Sequence, residues 1–265
     1  MPAATTDLPR ARATRYVTAL REGGSLPAIV ETDAGQLVVA KWRGAGQGAT
    51  ALVAEVIAGQ LGRAAGLPIP PLVVLSLDPA LARTERDQEI RDLLVASVGT
   101  NLGMGYLSGS LAFDPAAAPP SEHPLDGTLA AKIVLFDSFV MNVDRTARNT
   151  NLLWWRDGLW LIDHGAALYW HHGWDGTVDR PTRPFPLVRE HVLLPYADSI
   201  TKVASELLAS LTDAVLESAI GAVPDEWLPE PDRARRRGAY LEFLRARRDG
   251  AAPLVEEAER ARTSL

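Results

Sequence analysis

Alternating apolar and polar positions predict strands in the first part of the chain. These strands are expected at residues 27–32, 36–42, 70–77 and 99–106. The first two flank Asp33-Ala34-Gly35, a glycine-containing turn, and are therefore predicted to form a hairpin. The charged amphipathic stretch 80–97 predicts one helix, and the small, polar residues 1–16 are expected to form a loose arm.

Helical periodicity dominates the rest of the chain. Helices are predicted at residues 50–65, 125–141, 200–221, 232–248 and 253–263. Asp137 lies in the apolar half of the second of these, where it is expected either to brace the loop that follows or to cap or pair locally. The expected fold class is α+β, with a small β-rich part at 1–110 and a mostly helical part at 111–265.

A second hairpin is predicted between Leu152 and Ile162. Asp157-Gly158 is a two-residue turn signal with apolar and aromatic residues on both sides. Closing the ladder there pairs Arg156 with Leu159 and Leu152 with Asp163.

This hairpin is expected to bring three oxygen-bearing side chains together: Asp144 and Asn149 from the polar loop before it, and Asp163 from its far end. Carboxylate and amide oxygens are ligands for a hard cation such as Mg²⁺, which keeps its remaining positions for water and phosphate oxygens. Each residue alone would be read as a turn former or a strand end. Their order around one hairpin favours a metal site.

Composition narrows the remaining classes. The net charge of −6 gives no general case for nucleic acid, and the arginine-rich helix 232–248 is interpreted as a solvated amphipathic face. With no cysteine there is neither a disulfide framework nor a thiolate metal site, which fits a cytoplasmic protein. Residues 1–10 contain no apolar signal core, and no run approaches a membrane span, so no membrane association is expected.

Lysine is rare in this chain, which uses arginine for most of its cations; the three lysines are Lys41, Lys132 and Lys202. Lys41 lies near the end of the second predicted strand, where a solvated surface lysine is the alternative to a functional one. Gly23-Gly24-Ser25 precedes the same hairpin, where it forms either a plain turn or a loop whose backbone N–H groups could cradle a phosphate. A compact ammonium beside phosphate oxygens is typical of nucleotide sites. Glu55, a lone acid in an apolar helix, is predicted to be the partner of Lys41, with an exposed glutamate as the alternative.

The run Asn-Val-Asp-Arg-Thr-Ala-Arg-Asn-Thr-Asn at 142–151, followed by Leu-Ile-Asp-His-Gly at 161–165, resembles the catalytic and metal-binding loops of the HipA-like kinases, in particular a short bacterial branch. The resemblance implies a bilobal kinase-like fold and transfer of the ATP γ-phosphate to a hydroxyl, expected to be protein Ser or Thr. It implies Asp144 as catalytic base, Asn149 as a catalytic-loop residue, and Asn149 and Asp163 as Mg²⁺ ligands.

By chain order, the same resemblance places further contacts in the first part of the chain. Gly23, Gly24, Ser25, Lys41 and Glu55 would then serve the nucleotide phosphates. Backbone groups near Tyr106 and Leu107 would hold the adenine edge. Two departures speak against a eukaryotic-type protein kinase: no His precedes the Asp144 dipeptide, and His164 replaces Phe after the metal-binding acid.

Two other function classes stay open. Asp163, His164, His171, His172 and Asp175 offer ligands for a zinc or manganese hydrolase, although their spacing matches no established ligand motif. A non-catalytic nucleotide-binding module is the other alternative. Longer HipA-like proteins carry an added N-terminal subdomain, for which this chain has no room, so their toxin role and DNA-binding partner are not expected here. The phosphoacceptor, protein or small molecule, is left open.

Overall fold

A closed five-stranded barrel forms the first part of the protein, in a computed structural model that describes residues 7–20, 26–46, 48–83, 85–117, 125–156, 158–178 and 181–265. Its strands are β1 (Arg10–Ala19), β2 (Ala28–Thr32), β3 (Leu37–Lys41), β4 (Leu72–Leu77) and β5 (Gly99–Gly105). The order around the barrel is β1-β2-β3-β5-β4, and it closes where β1 runs parallel to β4, with Arg10 opposite Val74. The predicted hairpin of 27–42 is present as β2 and β3.

The expectation of a loose arm over residues 1–16 is wrong for its described part, because β1 is a full member of the barrel. Its sequence lacks the apolar alternation that predicts a strand. Ala13 is its one fully buried residue, and Ala11 and Tyr16 pack, partly buried, against the same interior cluster, which also contains Ala28 and Ala40. Backbone pairing with β2 and β4 holds β1 in the barrel although most of its side chains are not buried.

The two faces of β3 point into different surroundings, one into the barrel and the other toward a helix outside it. Val38 and Ala40 face the barrel interior, whereas Lys41 shares the outer face with Val39. This outer side of the barrel packs against helix α1 (Gly48–Ala64), which is buried along most of its length. Strand alternation therefore sends the Lys41 side chain toward α1.

Two predicted helices are each interrupted by a capping residue. The stretch 80–97 forms α2 (Pro79–Arg83) and α3 (Gln88–Ala96), because the Asp87 side chain accepts N–H bonds at the start of α3. The stretch 200–221 forms α5 (Ile200–Ser210) and α6 (Asp213–Gly221), where the Thr212 side chain caps the second helix. Amphipathic periodicity continues across both breaks, so it did not reveal them.

Helix α4 (Gly127–Val140) is the centre of the helical part, and nearly every residue from Ala130 onward is buried. Around it lie α5, α7 (Arg233–Asp249) and α8 (Ala252–Thr263). Helix α1 packs against α6, and the indole N–H of Trp227 donates to the Thr100 carbonyl of β5 at 3.0 Å, so the barrel and the helices share contacts. None of the helices in the described ranges is both long enough and apolar enough to cross a membrane.

The second hairpin is present, but its predicted register was wrong by two residues. Strands β7 (Leu152–Trp155) and β8 (Gly158–Leu161) pair Trp155 with Gly158 and Leu152 with Leu161, and β6 (Leu111–Ala112) adds to the edge of β7. The turn therefore lies at 156–157, of which Asp157 is outside the described residues. A shift of two leaves every side chain on its predicted face, and Asp163 lies beyond the end of the ladder.

Candidate functional site

Lys41 lies between two carboxylates that come from distant parts of the chain. Its ammonium forms an ion pair with Glu55 of α1 and a second one with Asp163 Oδ1 at 2.8 Å. The Glu55 side chain is 1% exposed, whereas that of Asp163 is 46% exposed. The predicted pairing of Lys41 with Glu55 is therefore present, and one face of the cluster is open to solvent through Asp163.

The charges of this cluster are strongly coupled. Burial disfavours the charged form of Lys41, but the attraction of Asp163 and Glu55 outweighs it and raises the lysine pKa. Burial raises the pKa of Glu55 to about 7, with the charge of Lys41 opposing this shift and that of Asp163 adding to it. The attraction of Lys41 in turn holds the pKa of Asp163 below its usual range. Of the two acids, Asp163 is the one held as a carboxylate.

The backbone at Asp163 is strained, with φ of +56°. Met141, Asn151 and Leu168 also have positive φ, at 53°, 49° and 54°, and all lie in the segment that builds the site. Each such non-glycine residue costs free energy, and residues of this kind concentrate at functional sites. Beside them, a Cβ on Gly165 would lie 3.3 Å from Glu55 Oε1, so the chain passes close to the acid there.

The loop before β7 holds the other two predicted site residues. The Asn149 side-chain amide donates to Asp144 Oδ2 at 2.6 Å, and the loop closes on itself where the Thr146 N–H donates to the Asn149 carbonyl at 3.0 Å. The pKa of Asp144 is raised by burial and by the negative charge of Asp163. The structure thus places Asp144 and Asn149 in contact, close enough to Asp163 for the two acids to repel each other.

A buried polar network attaches this loop to α4. Asp137 accepts bonds from Arg145 Nε, from the amide of Asn142 at 3.0 Å and from His191 Nε2 at 3.0 Å. Asp137 and Arg145 are both fully buried, and the guanidinium of Arg145 holds the pKa of Asp137 well below its usual range despite burial. The interpretation of Asp137 as a brace for the loop is confirmed; its partner His191 was not predicted.

Arg145 also connects the loop to the hairpin end that carries Asp163. Its Nη1 donates to the carbonyls of Asn151 and Ile162, and its Nη2 lies 3.0 Å from His164 Nε2. Burial and the charge of Arg145 lower the pKa of His164 to about 3, so this histidine is neutral and accepts the bond. Arg145, which directly follows Asp144, thereby contacts the residues on both sides of Asp163. Its place in the motif was noted from the sequence, but its role was not.

The remaining predicted nucleotide contacts are less informative. Gly23, Gly24 and Ser25 lie outside the described residues. Tyr106 and Leu107 follow β5, as expected for a connection to the helical part, but the Tyr106 N–H donates to the Leu37 carbonyl at 3.2 Å. That N–H group is therefore already used within the barrel.

The histidines proposed as ligands of a hydrolase have other partners. His164 bonds to Arg145, and His171 Nδ1 lies 3.0 Å from the Tyr240 hydroxyl. Burial lowers the pKa of His171 to about 3, while His172 is exposed. Across the described ranges, no group of three or more His, Cys, Asp or Glu side chains is arranged to hold a metal ion.

Comparison with known proteins agrees with this geometry. The HipA-like kinase family matches residues 14–246. The fold is similar to that of a Helicobacter pylori proinflammatory kinase, CtkA, with a TM-score of 0.54 at 10% identity, covering 97% of this chain and 99% of the other. At that identity the similarity is evidence for the fold alone.

Two structures of the Golgi casein kinase, one with Mn and ADP bound, are more distant. Their TM-scores are 0.48 and 0.47 at 12% and 10% identity, with 96% of this chain and 74% and 72% of theirs covered. These values are too low to argue from, and no curated protein sequence gives a match. Because the family match spans most of the chain and includes both halves of the site, the protein belongs to the HipA-like kinase family and is a kinase-like phosphotransferase.

Proposed function

We propose that this protein is an ATP- and Mg²⁺-dependent kinase that transfers the γ-phosphate of ATP to a hydroxyl group, with protein Ser or Thr as the expected acceptor. The observation that carries the proposal is the placement of Lys41 against Glu55 and Asp163, with the Asp144–Asn149 pair beside them. We also propose that residues 1–110 and 111–265 act as two lobes, each supplying part of the site.

The charge balance at the site supports a divalent cation. Glu55 and Asp163 flank one ammonium, Asp144 lies close enough to Asp163 to repel it, and Arg145 is committed to Asp137. The mutual repulsion of Asp144 and Asp163 is relieved by a cation between them. Asp163 and Asn149 are the residues that would hold Mg²⁺, because their oxygens reach solvent, and the bound ion would neutralise phosphate oxygens.

In the proposed reaction, Lys41 binds phosphate oxygens and Glu55 holds the lysine in position. Asp144 orients the acceptor hydroxyl and takes its proton as the oxygen attacks the γ-phosphorus. The bond from that phosphorus to the β–γ bridging oxygen breaks, and ADP leaves. The raised pKa of Asp144 makes it a stronger base than an ordinary aspartate. The protein does little covalent chemistry at the phosphorus, so its main contributions to the rate are positioning and charge neutralisation.

Phosphotransfer from γ-labelled ATP, with pure protein and with cell extract, tests the proposal. Asp144→Asn should abolish transfer but retain binding of ATP with Mg²⁺, because this residue acts on the acceptor. Asp163→Asn should lose metal-dependent nucleotide binding as well. Asp175→Asn is the matched control, since Asp175 is exposed and accepts hydrogen bonds from Thr177, two residues further along the chain. Near-normal turnover in either site variant would refute the mechanism.

Thermal stability separates the competing classes. At a hundredfold excess over Kd, a ligand stabilises the folded state by about 2.7 kcal/mol, which raises the melting temperature of a chain of this size by roughly 5 °C. The kinase should need ATP and Mg²⁺ together for this rise, and Asn149→Ala should reduce the synergy. Stabilisation by zinc alone without a response to ATP would favour the hydrolase. Nucleotide binding without transfer to any acceptor would favour the binding module.

A further inference from the structure

A pocket separate from the Lys41 cluster lies where α1, the turn at Asp225–Trp227 and α7 meet. Its volume of about 320 Å³ is at the small end of the range for ligand sites in proteins. Its walls are formed by Thr50, Val53, Glu226, Trp227, Leu228, Pro229, Arg236 and Tyr240. A ligand of this size would be a small metabolite.

Arg236 lines this pocket and carries a positive charge that no acid of the described residues neutralises by an ion pair. Its guanidinium stacks 4.0 Å above the ring of Trp174, and within the described part of the chain its one hydrogen bond is a long one of 3.4 Å to the His171 carbonyl. Its Nε is buried without a partner, and no acid of the described ranges lies within ion-pairing distance. The next residue of α7 differs: Arg237 pairs with Asp225 at 2.7 Å.

The opposite charge comes from Glu226. This side chain is exposed, and no cation among the residues that the structure describes forms an ion pair with it. The first turn of α1, which carries Thr50, adds N–H groups and the positive end of a helix of 17 residues on the same wall. The pocket therefore presents an anion-binding side and a cation-binding side.

Between these polar groups the wall is apolar. Val53, Trp227 and Leu228 are all buried in the protein core and turn one side toward the pocket. We propose that the pocket binds a free α-amino acid with an apolar side chain. Its carboxylate would be held by Arg236 and Thr50, its ammonium by Glu226, and its side chain by the apolar wall. Since α1 also carries Glu55, the ligand would touch the helix that positions Lys41.

Calorimetric titration with leucine, N-acetyl-leucine and leucine methyl ester tests the charges of the ligand separately. Leucine or another apolar amino acid should bind with a Kd at or below about 1 mM. Removing either charge should weaken binding by about tenfold or more, because charge-assisted bonds are the stronger kind. Undiminished binding of the neutralised derivatives, or no binding of any apolar amino acid at that concentration, would overturn the proposal.

Substitutions in the pocket locate the site. Arg236→Gln and Glu226→Gln should each weaken binding by about tenfold. Arg245→Gln is the control: it lies on the same helix but pairs with Asp213 and Glu217, and it should leave binding unchanged. Arg236 also stacks on Trp174, so Arg236→Gln could disturb folding. In that event Glu226→Lys tests the site instead, because Glu226 is exposed and its substitution leaves the core unchanged. Normal leucine binding by Glu226→Lys would refute the site, whatever the kinase activity proves to be.

Discussion

Replacing Asp137 by Asn removes the carboxylate that attaches the loop at residues 142–151 to α4. The change is nearly isosteric, but an amide oxygen cannot serve Arg145, His191 and Asn142 as two carboxylate oxygens do. The guanidinium of Arg145 would remain fully buried with no counter-charge. Breaking a buried pair by removing one partner costs about 3–5 kcal/mol. For a chain of this size, that lowers the melting temperature by roughly 10 °C.

The same substitution should also change how the free energy of unfolding depends on pH. The pKa of Asp137 lies below its usual range in the folded protein, so its contribution to stability is present above about pH 4 and is lost as the pH falls toward the folded pKa. The difference between wild type and Asp137→Asn should therefore be largest at neutral pH. It should shrink by about 1.4 kcal/mol per pH unit below about pH 4.

Urea unfolding at pH 7 and pH 3 measures both effects, and hydrogen exchange of the amides in residues 142–151 reports on the loop itself. Asp126→Asn is the matched control, because it makes the same substitution at the exposed N-cap of the same helix, where Asn caps as well as Asp. A loss below about 1 kcal/mol at pH 7, or no increase in loop exchange, would show that Asp137 does not hold the loop.

Two further predictions concern the Lys41 cluster. Lys41→Ala should weaken nucleotide binding. Lys41→Arg should not restore it, because a planar guanidinium replaces a point charge in a space where the lysine side chain is only 14% exposed. With Lys132→Ala as the control, unchanged affinity in Lys41→Ala would place Lys41 outside the nucleotide site. Glu55→Gln should flatten the pH dependence of stability between about pH 4.5 and pH 7, because a pKa raised to about 7 makes wild type lose stability as the pH rises through that value. Urea unfolding at pH 5 and pH 8 would contradict this if wild type and variant showed the same change.

The local character of the elements and the residues of the candidate site could be predicted from the sequence. Alternation predicted β2, β3 and the face on which Lys41 lies, since side-chain direction in a strand depends only on the parity of the position. The rarity of lysine singled out Lys41, and a lone acid on an apolar helix singled out Glu55. The order Asp144, Asn149, Asp163 around a hairpin indicated where the acids would meet.

Tertiary structure decided what depends on partners far along the chain. Strand β1 is held by backbone pairing that its own side-chain pattern does not predict. His191 reaches Asp137 across 54 residues, and Arg145 bridges to His164, contacts that no local pattern specifies. The raised pKa of Glu55 likewise comes from burial and from Asp163, more than a hundred residues away. Local periodicity records only the chain's own repeat, whereas desolvation and charge depend on the elements packed around each group.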